Sequence, residues 1–129
     1  MIRLNPTLDV EELARLYAVR QRLQVRNILE EESAEHIYTL LAERTPWWVA
    51  FNEGEKVHQL PPELVRSLAP QQVAEVMPGI QERARKEYQF LYEYYPLYSK
   101  YFAREAGRLP IHDAYEFLNS EPMMEFVRR

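Results

Sequence analysis

Any metal or acid–base chemistry in this chain has to be built on three histidines, His36, His58 and His112, because there is no cysteine to serve as thiolate ligand or nucleophile. Their settings, His36-Ile37-Tyr38, His58-Gln59-Leu60 and His112-Asp113-Ala114, contain no His-x-Asp pair and no His-Glu-x-x-His. Isolated histidines of this kind read as solvated or capping side chains. His112 beside Asp113 would suit a hydrolase only with a nucleophile and an oxyanion site, and no candidate for either stands out. Ser33, Ser67, Ser99 and Ser120 all lie outside a Gly-x-Ser-x-Gly setting. Gly54, Gly79 and Gly107 are the only glycines, too scattered for a phosphate loop or a dinucleotide fingerprint. Glu30-Glu31-Glu32 is read as a solvated run at a helix start, favoured there by the helix dipole. No catalytic, cofactor-binding or metal-ligating residue is assigned.

What remains is aromatic. Six of the nine tyrosines fall between Tyr88 and Tyr101, and in the run Tyr88-Gln89-Phe90-Leu91-Tyr92-Glu93-Tyr94-Tyr95-Pro96 the rings at 88, 90, 92 and 94 alternate. In an extended strand alternate side chains share a face, so these four rings form one amphipathic surface. Such a face is ordinary material for packing against a second layer, and it is also the candidate edge of a pocket or interface, with Tyr92, Tyr94 and Trp48 as its residues. Trp47 and Trp48 point to opposite faces of their strand, which places one in the core and the other at an edge or interface. Met123, Met124 and Phe126 are read as core, or as a docking surface on a final helix.

The elements that position these residues follow from periodicity. Val10, Leu13, Ala14 and Tyr17 behind Thr7 and Asp9 predict a capped helix from about Asp9 to Val19. Arg22-Leu23-Gln24-Val25-Arg26 alternates and predicts a half-buried strand. Ser33 is expected to open a second helix that buries Ala34, Ile37, Leu40 and Leu41. Trp47–Phe51, the turn Asn52-Glu53-Gly54-Glu55 and Lys56–Leu60 predict a β-hairpin. Pro61-Pro62 begin a short helical turn, and Pro70 starts a helix with Val73, Val76, Met77, Ile80 and Ala84 inward, kinked or divided at Pro78. The aromatic tract reads as strand to Tyr95, because Pro96 disfavours helix at the residue before it. After a loop at Gly107–Pro110, Pro110 seeds a helix with Ala114, Phe117 and Leu118, and Asn119 or Ser120 caps the last one. With roughly four strands and five helices in mixed order, the expected class is α+β, with helices packed on a small, mostly antiparallel sheet.

At 129 residues the chain is the size of one domain, or of part of one, over 1–129. A net charge of −4 argues against nucleic acid as partner, since phosphate binding needs clustered Lys and Arg and the Arg83, Arg85, Lys86 group is flanked by Glu82 and Glu87. No run approaches the roughly 20 apolar residues of a membrane span, and Met1-Ile2-Arg3-Leu4-Asn5-Pro6 lacks the apolar core of a signal peptide. The absence of cysteine fits a reducing compartment, so the cytoplasm is the expected location.

Taken in order, four stretches carry a family resemblance. They are Arg22-Leu23-Gln24-Val25-Arg26-Asn27-Ile28-Leu29 before Ser33-Ala34-Glu35, then Trp47-Trp48-Val49-Ala50-Phe51-Asn52-Glu53-Gly54-Glu55-Lys56, then Tyr88–Pro96, then Phe117-Leu118-Asn119-Ser120-Glu121-Pro122. The arrangement resembles the N-terminal part of the prolyl-hydroxylase-like Fe(II)/2-oxoglutarate-dependent dioxygenases, the bacterial branch akin to ribosomal prolyl hydroxylases. It covers nearly the whole chain through order and texture, without an invariant catalytic motif. The resemblance implies helical support and first strands of a double-stranded β-helix. In that family the barrel holds Fe(II) through a His-x-Asp pair and a distal His, and an Arg grips 2-oxoglutarate. A two-His, one-carboxylate triad leaves coordination positions open for co-substrate and oxygen. No residue here matches those motifs, so no ligand is carried over. The expectation is a truncated or excised segment of an enzyme that hydroxylates a peptidyl proline, inactive alone, with Tyr92 or Tyr94 at the pocket edge. The alternative is a non-catalytic interaction or dimerisation module that uses the aromatic strand or the C-terminal helix.

Overall fold

A computed structural model describes residues 1–103 and 107–129. Its elements are α1 (Val10–Arg20), α2 (Glu31–Thr39) running into a π-helical turn (Leu40–Arg44), β1 (Trp48–Glu53), β2 (Lys56–Leu60), α3 (Pro62–Ser67), α4 (Pro70–Ala84), β3 (Leu91–Tyr94), α5 (Leu97–Ala103), α6 (His112–Leu118) and α7 (Glu121–Arg128). The class is α+β, with three strands and seven α-helices among the described residues. The chain divides into two compact units, one made of Met1–Thr45 with Leu97–Arg129 and the other of Pro46–Pro96.

The unit Pro46–Pro96 is built on an antiparallel sheet of order β2-β1-β3. The hairpin forms, in the register Val49↔Leu60, Phe51↔His58, Glu53↔Lys56, but its pairing runs further than expected: Asn52 and Glu53 belong to β1, the turn shrinks to Gly54-Glu55, and Trp47 lies outside the strand, with both tryptophans half-buried. Gly54 turns the chain at φ 61°, a left-handed conformation that L side chains rarely adopt. β3 pairs with the other side of β1, setting Trp48 opposite Tyr94 and Ala50 opposite Tyr92. It is shorter than the alternation suggested, four residues from Leu91, because Gln89 and Phe90 are engaged by a side chain instead of a neighbouring strand. Helix α4 runs through Pro78 as one element of 15 residues rather than two abutting helices. Of its expected buried stripe only Ile80 is buried and Met77 half-buried, while Val73, Val76 and Ala84 are exposed.

In the other unit, Asp9 caps α1 by accepting the Glu12 N–H at 3.0 Å. The expected strand at Arg22–Arg26 does not form. Left-handed residues Gln21 (φ 60°) and Asn27 (φ 52°) bracket it, and no neighbouring strand supplies a ladder, without which alternation alone makes no strand. The only pairing nearby is an isolated antiparallel bridge, Leu4↔Leu29, flanked by Asn5 N–H to Ile28 O (2.9 Å) and Glu30 N–H to Arg3 O (3.2 Å). Ser33 does not cap α2. It sits buried inside the helix and its Oγ accepts the Arg3 N–H at 3.0 Å, joining α2 to the N-terminal segment. The inward residues of α2 and its π-helical turn are therefore buried Ser33 and Leu40 with half-buried Ile37, and the expected Ala34 and Leu41 are exposed.

Helix α5 takes up the second half of the aromatic tract, which periodicity did not mark as helical. It lies against α6 through Tyr101–Tyr115 (ring centroids 4.3 Å) and Phe102–Tyr115 (6.0 Å). Neither expected residue caps α7 with its side chain, because both reach backward: Asn119 Nδ2 donates to Tyr115 O at 2.9 Å and Ser120 Oγ to Phe117 O at 2.6 Å. Pro122, whose missing N–H is no loss in a first turn, then starts the helix. Among the described residues, Ile2, Leu40 and Ile111 are the buried apolar ones of this unit.

Candidate functional site

The candidate surface is the aromatic face of the Pro46–Pro96 sheet. Because directly opposed residues of antiparallel strands share a face, the register puts Trp48 and Ala50 of β1 with Tyr92 and Tyr94 of β3 on one side. The rings form a continuous ladder: Trp48–Tyr94 at 6.0 Å, Tyr94–Tyr92 edge-on at 6.1 Å, Tyr92–Phe90 stacked at 5.2 Å and Phe90–Tyr88 tilted at 6.1 Å. Each such pair contributes about 0.5–1.5 kcal/mol beyond its area burial. The three residues singled out in sequence, Trp48, Tyr92 and Tyr94, are thus brought together, with Phe90 and Tyr88 continuing the row.

This face is not packed core. Tyr88 is 81% and Tyr92 52% exposed, whereas Trp48, Phe90 and Tyr94 are half-buried. Only Ala50 and Asn52, between the rings and the turn, are buried there. On the opposite face His58 stacks on Phe51 at 4.7 Å, and its Nε2 lies 3.9 Å from Glu53 Oε2. The His58 Nε2 is buried there without a hydrogen-bond partner among the described residues.

What holds the ladder in place is an amide, and sequence reasoning treated it only as a turn residue. Asn52 is buried, and its Oδ1 accepts from the Phe90 N–H (2.8 Å) and Gln89 Nε2 (2.9 Å), while its Nδ2 donates to Tyr88 O (3.1 Å) and Gly54 O (3.2 Å). Gln89 in turn donates to Asn52 O at 2.8 Å and accepts from Arg83 Nε of α4 at 2.9 Å. One side chain at the hairpin end therefore sets the entry of the aromatic tract into the sheet and links it to α4. An Asx residue beside a turn glycine is the only local signal of it. Just past β3, burial pushes the Tyr95 hydroxyl pKa up.

In the other unit, His36 lines a cleft of about 630 Å³ together with Asp113 and Glu116. The carboxylates are already engaged: Arg108 Nη2 pairs with Glu116 Oε2 at 2.8 Å and with Asp113, and the Tyr101 hydroxyl donates to Glu116 at 3.2 Å. His112 and Asp113 do not form a catalytic couple, because His112 is buried and turned toward the backbone of Leu109. Among the described residues no group of three or more His, Asp or Glu side chains is arranged to hold a metal ion, and no helix is long and apolar enough to cross a membrane. Comparison of the chain with protein-family models, with curated proteins and with solved structures finds no match.

Proposed function

We propose that this chain is a supporting layer of a prolyl-hydroxylase-like Fe(II)/2-oxoglutarate-dependent oxygenase, acting in the cytoplasm and performing no oxidation by itself. The observation that supports this reading is the exposed ladder Trp48-Tyr94-Tyr92-Phe90-Tyr88 on one side of a small antiparallel sheet. A sheet with large rings on one face gains most when a second layer covers it, and a β-helix barrel supplies such a layer. The described residues do not fit an iron site, since no group of three or more His, Asp or Glu side chains among them is arranged to hold a metal ion. Iron and 2-oxoglutarate would be held by other residues of such an enzyme. In this chain Tyr92 and Tyr94 would line the pocket edge, and Asn52 would fix their height above the sheet.

The test has two arms. The coding frame beyond Arg129 is read for a His-x-Asp and a later His, and the encoded segment is then assayed with and without this chain for 2-oxoglutarate-dependent succinate release. Turnover is expected only when the triad-bearing segment is present. A frame with no triad, or succinate release by residues 1–129 alone, overturns the reading.

A second reading, a non-catalytic interaction or dimerisation module, is favoured by the position of β3 at the sheet edge, where it offers unladdered backbone groups beside exposed Leu91 and Tyr92. Exposed Met124 and Val127 on α7 offer another apolar contact. Sedimentation decides this one, because a concentration-independent monomer that binds no apolar dye refutes it.

A further inference from the structure

The junction of α5 and α6 is closed by an imidazole. Around the Pro110-Ile111 turn the His112 backbone N–H donates to Leu109 O at 2.9 Å, and the His112 Nδ1 accepts the Leu109 N–H at 3.2 Å. The two bonds are reciprocal, as in a capping box, with an imidazole where Glu or Gln usually reaches back. Accepting at Nδ1 requires a lone pair there, so the ring is neutral with its proton on Nε2. His112 is only 3% exposed, and it meets the Tyr101 ring of α5 edge-on at 5.7 Å.

Among the described residues, Tyr101 from α5, Arg108 from the loop before α6, and Asp113 and Glu116 from α6 face it. Burial first and the Arg108 guanidinium second hold its pKa below the ordinary histidine value, while Asp113 and Glu116 pull the other way. Arg108 is itself paired with both carboxylates, which weakens their hold on a charged imidazole.

We infer that His112 is an acid-sensitive latch: protonation at Nδ1 replaces the acceptor of the Leu109 N–H with a second donor and frees the start of α6 from its turn. The sign follows from which state binds the proton. With the closed-state pKa lowered, the opened junction binds protons more readily than the closed one. The latch is therefore fully formed above the ordinary value of about 6.5 and weakens as pH falls below it, with opening rising by at most about tenfold per pH unit for the single proton bound.

The experiment is residue-resolved amide exchange on the whole chain between pH 7.5 and 5, corrected for intrinsic rates, with the His112 ring followed by NMR. Leu109 protection should fall as pH drops below about 6.5, by at most about tenfold per pH unit for a single proton. His112→Gln, whose Oε1 can accept the same N–H, should abolish that slope, whereas His36→Gln and His58→Gln should leave it intact. An unchanged slope in His112→Gln, or constant Leu109 protection across the range, overturns the inference. Should His112→Gln fail to fold, the wild-type chain decides: Leu109 opening that does not track the His112 titration overturns it.

Discussion

Replacing Asn52 with alanine should destabilise the Pro46–Pro96 unit by about 2–3 kcal/mol, and the figure can be built bond by bond. Four polar contacts disappear, but they are not equivalent. Gly54 O lies in a turn and Tyr88 O belongs to an exposed residue, so water can replace both donors at little net cost. Gln89 Nε2 keeps Asn52 O at 2.8 Å and Phe90 O at 3.0 Å. The Phe90 N–H, bonded to Asn52 Oδ1 at 2.8 Å, is the group left without its partner. An unsatisfied donor in a part-buried position costs about 1–3 kcal/mol, and loss of a well-filled buried site adds to it. Both tryptophans, Trp47 and Trp48, belong to this unit, so their fluorescence in urea reads its unfolding selectively. The Phe90 amide should also lose exchange protection, and Asn52→Ala with Gln89→Ala should be non-additive by at least about 0.5 kcal/mol, as expected for side chains in one network. A loss below about 0.5 kcal/mol with Phe90 still protected would refute the assignment of Asn52 as the residue that seats the ladder.

Ser33→Ala removes the buried acceptor of the Arg3 N–H and should cost about 1–2 kcal/mol in the Met1–Thr45 and Leu97–Arg129 unit, seen by far-ultraviolet dichroism in urea without a matching shift in tryptophan fluorescence. At Gly54 an added Cβ meets nothing within 4 Å, so the penalty of Gly54→Ala is purely conformational, about 1 kcal/mol, and Gly54→Asn should recover part of it. Tyr92→Ser, which removes two ring pairs at an exposed rung of the ladder, should cost about 1–2 kcal/mol and also reduce apolar-dye binding and any self-association. A large stability loss with unchanged dye binding would mean that the ring serves the fold of this chain instead of a covering layer.

The hairpin was legible because its signals are local: alternation across Trp48–Glu53 and Lys56–Leu60, and a glycine where the turn needs positive φ. The Asp9 cap and the one-sided aromatic row were legible for the same reason. Arg22–Arg26 alternates just as well, yet no strand lies beside it, and a ladder is a property of two segments. Helix α5 was hidden by the tract itself, since Leu97–Ala103 carries aromatics whose helical neighbours lie on α6. Buried stripes on α2 and α4 were displaced because a helix buries the side its neighbours reach, and Ser33 outranked Ala34 by having the Arg3 N–H to bind.

The candidate surface divides along the same line. That Tyr92 and Tyr94 share a face follows from the two-residue period of a strand, which sequence alone determines. That Trp48 of another strand joins them on one sheet face, half open to solvent, that Asn52 holds the row and that His112 closes a turn were decided by tertiary structure. Pairing register, burial and hydrogen-bond partners belong to residues tens of positions apart, as with Asn52 and Phe90, and no local pattern encodes which of them will meet.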